Sequence, residues 1–144
     1  MPVPMELMGR RDPLPKDALV GVRILVVDDD EDARELMRTI LTYCGALVNV
    51  ARSARDGLAA IRELLPDVIV CDIAMPLHDG YWFLQTLRAL PAAEGGAVPV
   101  VAITAFGQVH GPDRTLAAGF QAHVRKPIDP WELCAILAGL TRRS

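Results

Sequence analysis

Short apolar runs rich in β-branched residues alternate along the chain with segments whose apolar residues recur every three or four positions. The first pattern is typical of strands buried on both faces, and the second is typical of helices with one apolar face. Because a helical pattern follows each strand-like run, the sequence predicts five βα units, which build one parallel sheet with helices on both faces. The predicted strands are Ile24–Val27, Leu47–Ala51, Val68–Cys71, Val98–Thr104 and Ala122–Val124.

Residues that commonly begin or end helices bound these helical patterns. Ser53 and Asp129 stand at N-cap positions, and Gly45 and Pro66 follow the ends of the first two helices. The fourth pattern, from Gly107 to Ala118, is the weakest because glycine and proline interrupt it. These boundaries agree with the five βα units.

The first twenty residues carry four prolines and no sustained period. The sequence therefore predicts a tail or linker over residues 1–20 and one α/β domain over residues 21–144. A chain of 144 residues is long enough for a single domain with a sizeable core.

Composition and charge narrow the class of protein. Hydrophobic residues make up 51% of the chain and the net charge is −3, so the sequence lacks the basic surface that nucleic-acid binding needs. No apolar run reaches membrane-spanning length, and no signal peptide pattern opens the chain. The cysteines Cys44, Cys71 and Cys134 are odd in number and apolar in context, as expected for buried thiols in a reducing compartment. We expect a cytoplasmic protein that binds neither nucleic acid nor membrane.

Polar residues stand where four of the predicted strands end. Asp28 and Asp29 follow the first strand, Asp72 follows the third, Thr104 ends the fourth, and Lys126 comes soon after the fifth. In an open parallel sheet these ends meet at one edge, where such folds place their binding sites. Clustered carboxylates repel one another unless a cation lies among them, and a few hard oxygen ligands suit Mg²⁺. Lysine and threonine donate hydrogen bonds to phosphoryl oxygens, so the set predicts Mg²⁺-assisted phosphorylation of Asp72.

Each of these residues also has an ordinary structural explanation. Asp72 could cap the following loop, Thr104 could be a strand residue, Lys126 could be a solvated charge, and the acidic run 28–32 could favour a helix start. Their joint occurrence at strand ends favours the site. Competing motifs fail, because the acidic run lacks the glycine and final glutamate of a calcium-binding loop and no glycine-rich phosphate-binding loop is present.

At this point the chain resembles the receiver domain of bacterial two-component response regulators. The resemblance spans about residues 22–140 and rests on four segments in family order. They are Ile24–Asp30, Asp72–Pro76 with Asp79–Gly80, Ile103–Ala105 and Lys126–Pro127. The resemblance implies a flavodoxin-like (βα)5 doubly wound fold with strand order 2-1-3-4-5.

The resemblance also implies a role for the acidic residues. Asp72 would accept a phosphoryl group from the phosphohistidine of a sensor histidine kinase or a phosphotransfer domain. Mg²⁺ would be held by Asp29, Asp72 and the backbone carbonyl of Ala74, with Asp28 in support. The domain would then be a switch that changes its binding to a downstream protein, and the family also allows a homodimer.

Further residues would bind the phosphoryl group and transmit its presence. Thr104, Ala105 and Lys126 are expected to bind it, with the peptide bond before Pro127 cis so that the Lys126 amine points towards Asp72. Receivers commonly carry Tyr or Phe where this chain has His123. We expect His123 to take the place of that aromatic residue and to act with Thr104 as the switch.

Two residues are expected to control loss of the phosphoryl group. Ala74 and Phe106 each lie two positions beyond a site residue and lack a group that could orient an attacking water, so hydrolysis should be slow. The segments 90–96 and 117–123 most resemble receivers fused to hybrid histidine kinases. A stand-alone receiver and a piece of a longer kinase both remain open.

A second function class uses the same kind of nucleophile. A Mg²⁺-dependent phosphohydrolase would also need a reactive aspartate, but it would need a second acid–base aspartate and a cap over the substrate. Ile73 and Ala74 follow Asp72, and the chain has no insertion large enough for a cap. We therefore expect no enzyme activity apart from Mg²⁺-dependent self-phosphorylation and autodephosphorylation. A receiver fold that signals without phosphate is disfavoured, because every site residue is present.

Overall fold

The computed structural model describes residues 13–105 and 112–142, apart from the side chains of Pro112 and Asp113. Strands and helices alternate throughout, as predicted. The strands are β1 (Arg23–Val27), β2 (Leu47–Ala51), β3 (Val68–Asp72), β4 (Val100–Thr104) and β5 (Ala122–Arg125). The helices are α1 (Glu31–Tyr43), α2 (Ala54–Leu64), α3 (Gly80–Arg88), α4 (Pro112–Ala118) and α5 (Pro130–Thr141).

The five strands form one parallel sheet in the order β2-β1-β3-β4-β5. This confirms the flavodoxin-like α/β fold. The register pairs Val27 of β1 with Cys71 of β3, and Asp72 of β3 with Ile103 of β4. The carboxyl ends of the three central strands therefore lie level with one another at one edge.

Side chains from alternate positions of the strands enter two hydrophobic cores, one on each face of the sheet. Val68 and Val70 of β3 pack with residues of α1 and α5, whereas Ile69 and Cys71 pack with residues of α2 and α3. Every residue of β3 and β4 is buried, as expected for central strands of a parallel sheet. These strands hold the site residues at their ends on a rigid base.

The predicted helix caps hold with small shifts at the boundaries. The side chain of Ser53 accepts from the Asp56 N–H, and that of Asp129 accepts from the Trp131 N–H. Strand β4 begins at Val100 rather than Val98, because Pro99 has no N–H for the ladder. The structure describes α4 from Pro112, and the predicted start at Gly107 lies outside the described residues.

Residues 13–20 pack on the domain, although the sequence analysis placed residues 1–20 in a tail or linker outside it. Leu14 is 4% exposed and Leu19 is fully buried, both in the core beneath α1 and α5. The Leu19 N–H donates to the carbonyl of Cys44, 3.0 Å away. Prolines remove the period that would have revealed this packing, but they do not stop isolated leucines from burying apolar surface.

Among the described residues, no helix is long and apolar enough to cross a membrane.

Candidate functional site

Three aspartates meet at the carboxyl edge of the sheet. Asp28 directly follows β1 and Asp72 ends β3, with 2% and 5% of their surfaces exposed, while Asp29 is exposed beside them. One carboxylate oxygen from each lies within 4.8 Å of the others. We call Asp28, Asp29 and Asp72 the aspartate cluster. The structure thus brings together the three predicted carboxylates.

The turn after β1 fixes the position of Asp28. Its side chain accepts from the Asp30 N–H at 2.9 Å, and its backbone carbonyl accepts from the Arg34 guanidinium at 2.9 Å. Asp30 in turn caps α1 by accepting from the Asp32 N–H. Burial raises the pKa of Asp28, although the hydrogen bond from Asp30 opposes that rise. Part of the acidic run therefore caps a helix, and part faces the site.

Asp72 has the most perturbed carboxyl group of the cluster. The pKa of Asp72 is raised to about 6. Burial and the neighbouring charge of Asp28 raise it, and Lys126 and a backbone hydrogen bond from Ala74 offset part of that rise. The Lys126 amine is 3.5 Å from the Asp72 carboxylate. Ionised Asp72 is thus held at a cost that a nearby cation would relieve.

The loops after β3 and β5 complete the surroundings of Asp72. Helix α3 begins so close to β3 that a Cβ on Gly80 would lie 2.9 Å from the Asp72 carbonyl oxygen, which requires glycine there. The Lys126 N–H donates to the Thr104 carbonyl at 2.7 Å, and the Lys126–Pro127 bond, predicted to be cis, is cis in the structure.

A second polar group lies beside the cluster. The Thr104 hydroxyl is 2.9 Å from Nε2 of His123, and Nδ1 of the same ring is 2.8 Å from the Thr115 hydroxyl. Both threonines are buried. We call Thr104, His123 and Thr115 the hydroxyl–imidazole chain. It joins β4, β5 and α4 through one imidazole ring.

The environment of this ring favours the neutral form. Burial and the nearby Arg125 lower the pKa of His123, and Glu132 opposes them. A neutral ring donates from one nitrogen and accepts at the other, so one threonine hydroxyl donates to the ring and the other accepts from it.

The remaining predicted residues take simple positions. Ala74 is exposed in the loop after Asp72, and Ala105 follows Thr104 at the end of β4. Phe106 lies outside the described residues. Thr115 is the contact that sequence reasoning missed. It is one polar residue in the most weakly patterned helical segment, so no sequence signal marks it as facing the sheet.

The donors at this edge suit a hard divalent cation. Carboxylate oxygens are the ligands that Mg²⁺ prefers, and a few of them suffice because the ion keeps several waters. Burial and the neighbouring charge of Asp28 raise the pKa of Asp72, so a bound divalent cation would favour its ionised form. Asp28, Asp29 and Asp72 therefore fit a Mg²⁺ ion.

Comparisons with known proteins agree with this geometry. The family model for the response regulator receiver domain matches residues 24–138. The chain is 39% identical over 119 residues to an uncharacterized 14.6 kDa protein of Leptolyngbya boryana, covering 83% of this chain and 89% of that one. It is 37% identical over 123 residues to the response regulator MprA of Mycolicibacterium vanbaalenii, covering 85% of this chain but only 52% of that protein.

A solved structure shows the same fold with metal bound. It is the receiver domain of a sensor histidine kinase from Pseudomonas aeruginosa, with a magnesium ion coordinated in the active-site cleft. The two chains superpose with a TM-score of 0.75 at 26% identity, covering 85% of this chain and 98% of that domain. The fold, the matched family model and the strand-end residues lead to one conclusion: this chain belongs to the response regulator receiver domain family.

Proposed function

We propose that this domain is a switch that accepts a phosphoryl group on Asp72 from a histidine kinase or a histidine phosphotransfer domain, in a Mg²⁺-dependent reaction. One observation carries the proposal. The buried Asp72 carboxylate has an oxygen within 4.8 Å of oxygens of two other aspartates, and it is 3.5 Å from the Lys126 amine, so a nucleophile, a group of cation ligands and a positive charge share one edge. A Mg²⁺ ion at the cluster would neutralise charge as phosphate approaches.

For the phosphoryl transfer, the protein needs to position Asp72 and to balance the negative charge of the phosphoryl group. An Asp72 oxygen forms the new bond to phosphorus, while the bond from phosphorus to the donor's histidine nitrogen breaks and its electron pair stays on nitrogen. Ionised Asp72 is the reactive form, and a pKa of about 6 leaves most of it ionised at neutral pH. We propose that Lys126, whose amine is 3.5 Å from the Asp72 carboxylate, pairs with the phosphoryl oxygens, and that the Ala105 backbone contacts them.

The switch that we propose follows from the single proton of the Thr104 hydroxyl. We propose the tautomer of His123 in which the Thr104 hydroxyl donates to Nε2 and Nδ1–H donates to Thr115. In that tautomer the Thr104 proton cannot serve His123 and a phosphoryl oxygen at once. When Asp72 is phosphorylated, Thr104 donates to the phosphoryl group, and the His123 ring loses the partner that it has at 2.9 Å. The ring then follows Thr104 inward or turns, and the surface formed by α4 and β5 changes for a downstream protein.

Loss of the phosphoryl group is proposed to be slow. Ala74 is exposed next to Asp72 and has no group that could orient a water for attack. Phe106 is proposed to act in the same way. Catalysis by the domain is limited to gaining and losing its own phosphoryl group.

The partners are proposed at the level of class. A sensor histidine kinase or phosphotransfer domain supplies the phosphoryl group, and an unidentified protein or a second copy reads the switch. The likeness to a receiver from a sensor histidine kinase supports the hybrid-kinase interpretation. The chain spans about half of MprA, so any output domain of a longer protein is outside this proposal.

The test is labelling by a small phosphodonor such as phosphoramidate, followed by intact mass. Wild-type protein should gain one phosphoryl group with Mg²⁺ and none after chelation. Asp72→Asn should not be labelled, whereas Asp17→Asn, an exposed aspartate remote from the site, should be labelled like wild type. Labelling of Asp72→Asn, or labelling without divalent cation, would refute the assignment. Sustained turnover of a generic phosphatase substrate would favour the phosphohydrolase instead.

A further inference from the structure

Two of the three cysteines meet in the core far from the aspartate cluster. Cys44 follows the end of α1 and Cys134 lies in α5, 90 residues later. Both are fully buried, and their sulfur atoms are 3.1 Å apart. The two thiols are within hydrogen-bonding distance, and either sulfur can be the donor.

The contact favours oxidation chemistry over simple packing. The hydrogen bond from Cys134 lowers the pKa of Cys44, and the same contact raises the pKa of Cys134. A thiolate is the reactive form of cysteine, and the second thiol is already placed to resolve an oxidised first one. Since a disulfide bond is about 2.05 Å long, closure needs the sulfurs to approach by roughly 1 Å.

We propose that Cys44 and Cys134 are a dithiol that a hydroperoxide oxidises to an intramolecular disulfide, which fastens α1 to α5. The Cys44 thiolate attacks the terminal peroxide oxygen and the O–O bond breaks. Cys44 becomes a sulfenic acid, and the other oxygen takes up the proton released by the Cys44 thiol and leaves as water or an alcohol. The Cys134 sulfur then loses its proton and attacks the Cys44 sulfur, which releases the hydroxyl group as water. Two thiols are oxidised by two electrons, and one peroxide is reduced.

The segment before β1 controls access to this pair. Leu19 belongs to the same buried cluster as both cysteines, and its N–H donates to the Cys44 carbonyl. The Val20 side chain lies against Gly45, so close that a Cβ there would be 2.7 Å from it. Because both sulfurs are fully buried, an oxidant reaches them only when the packing around them opens locally, and the reaction should be slower than that of an exposed thiol.

Cys71 provides a control within the same molecule. It is buried on the opposite face of the sheet, and its thiol donates to the Asp72 carbonyl at 3.3 Å rather than to another sulfur. It should therefore stay reduced under conditions that oxidise the pair.

The test treats the wild-type domain with hydrogen peroxide, denatures it in an alkylating reagent and maps the peptides. One of three thiols should remain, at Cys71, and a peptide pair joined through Cys44 and Cys134 should appear and disappear with dithiothreitol. The oxidised protein should unfold about 5 °C or more above the reduced protein, because the link closes a 90-residue loop in the unfolded chain. Cys71→Ala should still form the link, and Cys134→Ala should not.

Several results would overturn the proposal. One is that the folded protein keeps three free thiols under a treatment that links Cys44 to Cys134 in the denatured protein. The others are sulfinic acid at Cys44 without a link, and disulfides that involve Cys71 or join two molecules. A linked protein that unfolds at or below the reduced midpoint would refute the fastening of α1 to α5. None of these readouts depends on phosphorylation, so the proposed function stands or falls separately.

Discussion

The aspartate cluster and the hydroxyl–imidazole chain bury polar side chains at the same edge of the sheet under opposite electrostatic conditions. In the cluster, burial and like charge raise the pKa of Asp72 to about 6. In the chain, burial and Arg125 lower the pKa of His123, and both ring nitrogens have hydroxyl partners. The aspartate cluster therefore carries negative charge that a cation would offset. The hydroxyl–imidazole chain is neutral, and its ring nitrogens have hydrogen-bond partners within the domain.

The difference shows how a small domain can have a group that favours binding a cation beside a group whose hydrogen bonds are already made. An incoming cation would stabilise the aspartate cluster, whereas the hydroxyl–imidazole chain would lose a hydrogen bond if the Thr104 proton went to a phosphoryl group. The two groups also respond to pH in opposite directions. A raised acid pKa makes the folded state more stable as pH falls from about 7 towards 4, whereas a lowered histidine pKa removes stability as pH falls below about 6.5.

The largest predicted effect is on the rate of phosphorylation, when the positive charge of Lys126 is removed. Lys126→Gln should slow phosphorylation of Asp72 by about 10²-fold, because a charged donor to the phosphoryl group is lost. The pKa of Asp72 should also rise, since Lys126 holds it down. The measurement is the rate of labelling by phosphoramidate at saturating Mg²⁺. Lys16→Gln replaces the other lysine of the sequence and is the matched control. Equal rates for both variants would show that Lys126 acts only after transfer.

The next effect is on stability, and it separates the two groups directly. Without divalent cation at pH 8, Asp72→Asn should raise the free energy of unfolding by on the order of 2 kcal/mol, because a buried charge is removed. The gain should shrink as pH falls through 6 towards 4, where wild-type Asp72 is protonated in the folded state. Urea unfolding at several pH values measures this, with Asp17→Asn as control. A gain that is the same at pH 8 and pH 4.5 would have a cause other than charge.

Breaking the hydroxyl–imidazole chain should lower the free energy of unfolding. Thr115→Val keeps the side-chain shape but removes the partner of His123 Nδ1, which should cost about 1–2 kcal/mol of folding free energy. Thr39→Val is the matched control, since its hydroxyl donates only to the Glu35 carbonyl on an exposed face of α1. The ¹⁵N shifts of the His123 ring should change in the first variant. Equal destabilisation by both substitutions would mean that the contact with the ring adds nothing.

The sequence predicted the aspartate cluster better than the hydroxyl–imidazole chain, and the reason is physical. A parallel sheet brings strand ends together whatever the surrounding helices do, so Asp28, Asp72 and Thr104 could be placed from their positions alone. Thr115 could not, because its contact with His123 depends on how α4 lies against β5. Helix α4 had the weakest pattern in the chain, and nothing in a sequence states which face of a short helix meets a particular ring.

The same limit applies to the contacts away from the site. Cys44 and Cys134 were predicted to be buried thiols, which the structure confirms, but their pairing across 90 residues depends on how α5 packs beside α1. Leu14 and Leu19 lie in a segment whose prolines hide any period, so their burial could not be predicted from a pattern. Periodicity reports one element at a time, whereas these contacts are made between elements.

The smallest predicted effect is a shift in the titration of His123 when the site is filled. With Mg²⁺ and beryllofluoride in place of the phosphoryl group, Thr104 should donate to the fluoride, and a neutral ring should follow it into the protein at modest cost. A charged ring would resist that burial, so the pKa of His123 should fall further below 6.5 than in the free domain. Because the filled state then binds its proton less tightly, the active arrangement should be favoured above the histidine pKa and weakened below it. In the free domain Arg125 lowers the pKa of the ring and Glu132 raises it. The experiment follows the His123 ring by NMR from pH 5.5 to 8 with and without the mimic. An unchanged pKa would leave His123 outside the switch and make Thr104 its sole moving part.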